Sequence, residues 1–306
     1  MSGGLAAAIS ASPAKAALAG QSPPDEARVV AALEQRLDRL AREDDLSGAF
    51  LLARGGRVVL EKTAGLASLA FNAQNTLDTR FNLASVGKLF TSLAVMRFVD
   101  SGRLSLDTTL AEALPDYPNP ETAKKIRIAQ LLDHTSGLPN DLESHYGSVR
   151  SLHSVADDIA PFAGKPLDFE PGAKFNYSNS GYIVLGRIIE VLSGEDYFDH
   201  MRRAVFAPLG MNDTEFLRLD AISPRMAVGQ YRSTDQPGVW RNNYFDSAPR
   251  GSPAGGAFST TRDLLAFANA YSAGALLSPR LMAVWSAGRH DYPKGRYALG
   301  VSEEIV

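Results

Sequence analysis

No cysteine occurs among the 306 residues, so disulfides, thiolate metal sites and cysteine nucleophiles are excluded, and the redox compartment is left open. Histidine is scarce, at 5 residues. His134, Asp141, Glu143, His145 and His153 cluster in sequence, but their spacing fits neither H-E-x-x-H nor another helical ligand pattern, and no metal site is expected. No apolar run is long enough to cross a bilayer. No block of like charges marks a tail: 31 Lys plus Arg face 34 Asp plus Glu, a net charge of −3, and nothing in that balance suggests a nucleic-acid surface. No G-x-S-x-G is found, which argues against a strand–turn–helix serine elbow.

What is present is ample apolar material, 45% of the chain, in a length that suits one large domain or two smaller ones. The first 24 residues are rich in Ala, Ser, Gly and Pro. "ALA" at 17–19 has the form of a signal-peptidase site, although no basic residue precedes the weak apolar run. They are expected to be a leader or degraded signal peptide, with a periplasmic or secreted location and a cytoplasmic one as the alternative. From Asp25, apolar residues at helical spacing (Val29, Val30, Leu33, Leu37, Leu40) predict a helix over 27–42. Two strands around Gly55-Gly56 predict a hairpin over 48–64. A helix is expected from near Ser85 to "DSG", with Gly102 as its cap, and another over "SGYIVLGRIIEVLSG", closed by Gly194. Ser259 or Thr260 is expected to cap a helix in "STTRDLLAFANAYSAG". The proline-punctuated stretch from about 105 to 250 reads as mixed helix and loop, with no second cluster of strands.

One helix holds an anomaly. "LASVGKLFTSLAVMRFVDSG" sets Lys88 in an apolar run, three residues after Ser85. Residues three apart share a helix face. Burial lowers a lysine pKa, and a neutral amine can take the proton of a serine hydroxyl as it attacks a carbonyl. The bland alternative is a serine N-cap followed by a solvated lysine, and "SPAK" at 12–15 shows how cheaply S-x-x-K arises. Downstream, "FNYSNSGY" puts Tyr177 and Asn179 on either side of a serine just before the second apolar helix. A tyrosine beside a lysine cation can be held partly as phenolate and shuttle a proton, while an asparagine offers a donor and an acceptor to a substrate amide.

Together and in this order, S-x-x-K and Y-x-N resemble the serine β-lactamase and penicillin-recognising family, in particular its class C branch. That branch includes D-alanyl-D-alanine carboxypeptidases and β-lactamase-like esterases. "IAQLLDHTSGLP", "FAPLGMNDT" and "PAGGAFSTTRDL" are similar to family segments too, and the likeness runs from about residue 30 to 301. The resemblance implies an α/β (α+β) fold of the β-lactamase/transpeptidase type: an antiparallel sheet flanked by helices, with a mainly helical lobe. Residues 25–306 would form this domain, its α/β layer drawn from about 25–82 and 255–306 and its helical lobe from about 105–250. The resemblance implies a serine hydrolase working through an acyl-enzyme on an ester, amide or β-lactam carbonyl. Ser85 would be the nucleophile, Lys88 and Tyr177 the proton-transfer pair, Asn179 a substrate-binding residue, and the Ser85 N–H an oxyanion donor, with no cofactor. The partner expected is a small-molecule or peptide substrate. Trp240, Tyr231 and Tyr244 would wall the cleft in such a protein, and ordinary loop packing explains them equally well.

One departure stands out. Family members carry K-T-G or H-x-G on a strand beside the site, which also supplies a second oxyanion N–H. Here "YALGV" at 297–301 resembles the strand before that motif, "PKGR" is not K-T-G, and no such motif follows. Pairing with a further C-terminal segment or a second chain is therefore expected, and the rival function is a non-catalytic binding or sensing homologue, or an inactive remnant.

Overall fold

The computed structural model describes residues 25–43, 46–140, 154–244, 248–292 and 295–304. Helix α1 (Glu26–Arg42) starts where the Asp25 carboxylate accepts from the Ala27 N–H, and it ends with Arg39 and Arg42 in its last turn, charges that complement the helix dipole. Strands β1 (Gly48–Arg54) and β2 (Arg57–Ala64) form an antiparallel hairpin in register from Gly48–Ala64 to Arg54–Arg57. Gly55 and Gly56, with φ of +56° and +80°, supply the left-handed turn such hairpins need. Helix α1 lies against β2, tied by Lys62 to Asp38 (2.6 Å) and by Arg57 to Glu26 (2.6 Å).

Strands β3 (Leu66–Ser68) and β4 (Ala73–Gln74) make a second small hairpin, and β5 (Phe81–Asn82) leads to helix α2 (Gly87–Asp100). Short helices α3 (Leu110–Ala113), α4 (Pro120–Lys125), α5 (Ile128–Leu132) and α6 (Ala160–Ala163) precede the long α7 (Asn179–Ser193) and the one-turn α8 (Tyr197–His200). After them come β6 (Gln230–Arg232), β7 (Trp240–Asn242), β8 (Phe258–Ser259), α9 (Thr261–Ser272) and α10 (Pro279–Ser286). The chain then forms β9 (His290–Tyr292), β10 (Gly295–Tyr297) and β11 (Ser302–Glu304). Helices and antiparallel strands are thus mixed along the chain, as the α+β fold that the resemblance implied requires.

Helices α2 and α7 pack against each other at the centre. Both are apolar on nearly every face, the pattern of a helix enclosed on all sides. Phe90, Leu93, Val95, Met96, Tyr182, Ile183, Leu185 and Ile188 are fully buried there. The buried polar side chains on α2 are Lys88, Thr91 and Ser92, at i, i+3 and i+4, and each has partners. The Thr91 hydroxyl donates to the Pro253 carbonyl (2.7 Å), and that of Ser92 donates to Leu299 (2.5 Å) and accepts from the Trp285 indole (2.7 Å). One face of α2 is thereby stitched to chain that returns more than 160 residues later.

The structure departs from the sequence-based reading in three places. The stretch to residue 250 holds a hairpin after all: β6 and β7 pair from Gln230–Asn242 to Arg232–Trp240, and Trp240, Tyr231 and Tyr244 stand about 40% exposed on or beside it. "YALGV" is not a strand. Only Tyr297 belongs to β10, and the chain then turns, with the Ala298 N–H donating to the Val301 carbonyl, before β11. Its apolar look reflects burial of Ala298 and Leu299 against α2 and α10. Nor does the N-terminal hairpin share a sheet with it. Among the described residues β1 and β2 pair only with each other, and β9, β10 and β11 form their own three-stranded sheet. Helix α1 buries no residue fully, with Val29 and Leu33 still over one-third exposed. No helix among the described residues is long and apolar enough to cross a membrane.

Candidate functional site

Ser85 sits in a 3-10 turn, Ala84–Val86, that runs directly into α2 at Gly87, so the helical stretch does start near Ser85. Strand β5 pairs with β8 in the register Phe81–Ser259 and Asn82–Phe258, and the ladder continues through Leu83 N–H to Ala257 O and Gly256 N–H to Ala84 O (2.8 and 2.9 Å). Ala84 has φ +45°, a left-handed conformation rare for a residue with a side chain. The Asn82 side chain holds it by accepting from its N–H at 2.8 Å. Such backbone strain, on the order of 1–3 kcal/mol, persists only where surrounding contacts over-determine it.

Lys88, one helical turn on, is 2% exposed. Its Nζ lies 3.2 Å from Ser85 Oγ, 2.7 Å from Asn179 Oδ1 and 2.5 Å from the Ala254 carbonyl oxygen. No carboxylate is among these contacts, and desolvation holds the amine at about 7 against an ordinary 10.5. The three contacts accommodate both forms of the amine: an ammonium donates to all three oxygens, while a neutral amine that donates to Asn179 Oδ1 and Ala254 O keeps its lone pair for the Ser85 hydroxyl.

Burial of this lysine has a signed consequence for stability. Between about pH 7 and 10.5 the unfolded chain carries a proton that the folded chain lacks, so the contribution of this site to stability rises with pH across that window. Each pH unit adds at most about 1.4 kcal/mol. Urea denaturation at pH 7, 8 and 9 should show wild type gaining on Lys88→Met by a slope of that sign; parallel curves would mean that Lys88 is not neutralised on folding.

Ser178 caps α7, its hydroxyl accepting from the Gly181 N–H. Asn179 is the first residue of the helix, its own N–H donates to Asn140 Oδ1 (3.0 Å), and its side chain turns back to Lys88. Tyr177 is 39% exposed, and its hydroxyl is near enough to the Ser85 side chain to interact with it. Burial of the phenol end raises its pKa, the Ser85 interaction opposes this in part, and Lys88 Nζ lies over the ring face, 4.8 Å from its centroid. Ser85, Lys88, Tyr177 and Asn179 thus converge at one point.

Two features of the site were not assigned to it from the sequence. One is the backbone of Ala254 and Gly255: a Cβ on Gly255 would fall 2.3 Å from the Ala84 carbonyl oxygen and 3.1 Å from Ser85 Cα, so only glycine lets this loop lie against the serine turn. The other is His134, weighed above as a metal ligand. It is a buried ring among Tyr177, Tyr182, Tyr297 and Phe175, and among the described residues no cluster could hold a metal ion. Asp141, Glu143, His145 and His153 lie outside the described residues, as does the leader.

The family model described as Beta-lactamase matches residues 30–297, and the chain belongs to that family. Penicillin-binding protein 4 of Amycolatopsis lactamdurans is 32% identical to it over 242 residues, 77% of this chain and 62% of that protein. Protein flp of Staphylococcus aureus (strain NCTC 8325 / PS 47) is 29% identical over 204 residues, covering 64% and 41%. The chain thus spans less than two thirds of the length of these curated relatives. Among solved structures, a penicillin binding protein from Bacillus halodurans superimposes with a TM-score of 0.78 at 30% identity, covering 86% of this chain and 81% of that one. The D-amino acid amidase from Ochrobactrum anthropi SV3 gives 0.75 at 26% identity, covering 90% and 80%.

Proposed function

We propose that this chain carries the acylation machinery of a serine hydrolase that acts on the carbonyl of an ester or amide, β-lactams included. The observation that carries the reading is the buried, unpaired-by-charge Lys88 amine at hydrogen-bonding distance from Ser85 Oγ. In this mechanism the neutral Lys88 amine takes the Ser85 proton as Oγ forms a bond to the substrate carbonyl carbon. The carbonyl π electrons move onto oxygen, where the Ser85 N–H is one donor. Collapse breaks the bond to the leaving group. Tyr177, as a neutral phenol, gives that group its proton and is reprotonated from Lys88, so the amine is free again at the acyl-enzyme. Asn179 orients Lys88 and offers its amide to the substrate. Water attack on the ester then releases the acid and restores Ser85. The D-amino acid amidase and penicillin-binding relatives support an amide, a D-configured peptide end or a β-lactam as the substrate class.

The test is covalent. p-Nitrophenyl acetate or a fluorophosphonate should label Ser85, located by peptide mass, and Ser85→Ala should take no label. The apparent second-order acylation rate should rise with pH to a plateau through a midpoint near 7, because the proton leaving the free enzyme is that of Lys88. A midpoint above 9 would mean that the amine stays protonated and is not the base. No labelling at any pH would favour the rival reading, a binding or sensing homologue.

A further inference from the structure

His134 lies behind the site, yet it is bonded to the chain on both sides of Tyr177. Its Nδ1 accepts the backbone N–H of Ser178 at 3.1 Å. A backbone amide can only donate, so Nδ1 carries no proton and the neutral ring must carry its hydrogen on Nε2. Nε2 lies 3.0 Å from the Tyr297 hydroxyl, which therefore accepts. The Tyr182 hydroxyl beside them donates to the Leu132 carbonyl at 2.9 Å. The backbone N–H of Ser178 thus sets the sense of both His134 hydrogen bonds, from Ser178 to His134 to Tyr297.

The ring faces complete the arrangement. The imidazole centroid is 4.4 Å from that of Tyr177, 4.8 Å from Tyr297 and 5.2 Å from Tyr182. The His134 carbonyl accepts from the Asn176 N–H at 2.9 Å, so the residues on both sides of Tyr177 are bonded to this one residue. Holding those contacts requires φ of +62° at His134, a costly conformation for any residue with a side chain. The titratable groups near the ring are Lys88 on α2, Tyr177 and Tyr182 on and before α7, and Tyr297 on β10. The neighbouring Asp133 carboxylate accepts from Thr135 (2.7 Å) and pairs with His290 (3.2 Å). Burial, with the Lys88 charge adding to it, keeps the imidazole neutral down to about pH 3.

We propose that His134 is the positioning residue of this site: held as the Nε2–H tautomer between Ser178 and Tyr297, it fixes the Tyr177 ring and the start of α7 so that the phenol and Asn179 meet Ser85 and Lys88. The inference rests on the proposed function only in that the groups positioned are those assigned to proton transfer. It predicts a fixed tautomer and a kinetic effect, and the two are read separately.

Long-range 1H–15N NMR of histidine-labelled protein should give His134 a protonated Nε2 and a bare Nδ1, unchanged from pH 5 to 8. An Nδ1–H tautomer, or titration within that range, would overturn the proposal whether or not the protein is active. In kinetics, His134→Phe keeps a ring but loses both hydrogen bonds, and Tyr297→Phe removes only the partner of Nε2. For p-nitrophenyl acetate, His134→Phe should lower kcat at least tenfold and Tyr297→Phe threefold or more, with KM within twofold. His134→Gln, which retains an acceptor and a donor, should recover part of the loss. A purely structural histidine would lower the melting temperature and leave kcat of the folded fraction alone; that outcome in either phenylalanine variant sinks the proposal. Should His134→Phe not fold, Tyr297→Phe and the NMR tautomer decide. If wild type itself is not acylated, the functional reading fails while the tautomer still tests the positioning geometry.

Discussion

Lys88→Arg should lower Ser85 acylation by p-nitrophenyl acetate about a thousandfold in a protein that remains folded. A general base in such a site contributes roughly 10²- to 10⁴-fold. Arginine cannot provide it, because a guanidinium stays protonated throughout the usable pH range and has no lone pair to offer. The pocket is also wrong for it. The two acceptors, Asn179 Oδ1 and Ala254 O, match two N–H groups of an amine, and a planar fork of five donors would displace one of them. Ser85→Ala should show no acyl-enzyme at all by intact-mass spectrometry. The two variants answer different questions: near-normal rates in Lys88→Arg would remove the lysine-base role and leave Ser85 as the nucleophile, whereas labelling of Ser85→Ala would move the nucleophile elsewhere.

Gly255→Ala should cost about 2–4 kcal/mol and reduce acylation about a hundredfold, although it changes no side chain in the site. The added Cβ would meet only backbone, the Ala84 carbonyl at 2.3 Å and Ser85 Cα at 3.1 Å, and φ is +143° there. Overpacking of this kind destabilises by about 1–3 kcal/mol before the backbone strain is added. The serine turn must give way, and a displacement of about 1 Å between reacting groups can cost about 10² in rate. Gly274→Ala is the control. It too has a positive φ, +67°, but nothing lies within 4 Å of the new methyl, so it should cost about 1–2 kcal/mol and leave acylation unchanged. Equal kinetics for the two variants would show that the 254–256 loop does not set the position of Ser85.

Much of this architecture can be read from the sequence where one residue type answers to one local requirement. Gly55-Gly56 marks the hairpin because only glycine takes both positive φ values cheaply, and Lys88 in an apolar run at i+3 from Ser85 marks the site because the spacing alone puts both on one face. Thr260, one of two candidates, caps its helix with a bond from the Asp263 N–H. Tyr177 and Asn179 are weaker signals, legible through the family likeness of their segment, since separations of 92 and 94 residues leave their meeting with Ser85 to the tertiary fold. The β6–β7 hairpin escapes notice because its residues are mostly exposed and show no alternation. "YALGV" misleads because a buried turn and a buried strand are equally apolar. The Ala254 carbonyl leaves no trace at all, being a backbone group that every residue possesses. His134 does leave one, a histidine before T-S-G, but the scarcity of other uses for a histidine drew attention to metals rather than to a ring wedged among tyrosines.

The seam along α2 bears on how the protein reaches this state. Lys88, Thr91 and Ser92 find their partners 166, 162 and 207 residues further along the chain. Closing loops of that size costs entropy before any contact is gained, and chains dominated by such distant pairings fold slowly. During synthesis the nucleophilic turn emerges long before the 253–256 loop and the Leu299 turn that hold it, so while the intervening chain is made the hydroxyl and amine stay in ordinary solvated states, with the lysine protonated. Reactivity at Ser85 is thus gained only with these long-range contacts and lost with the first of them to open.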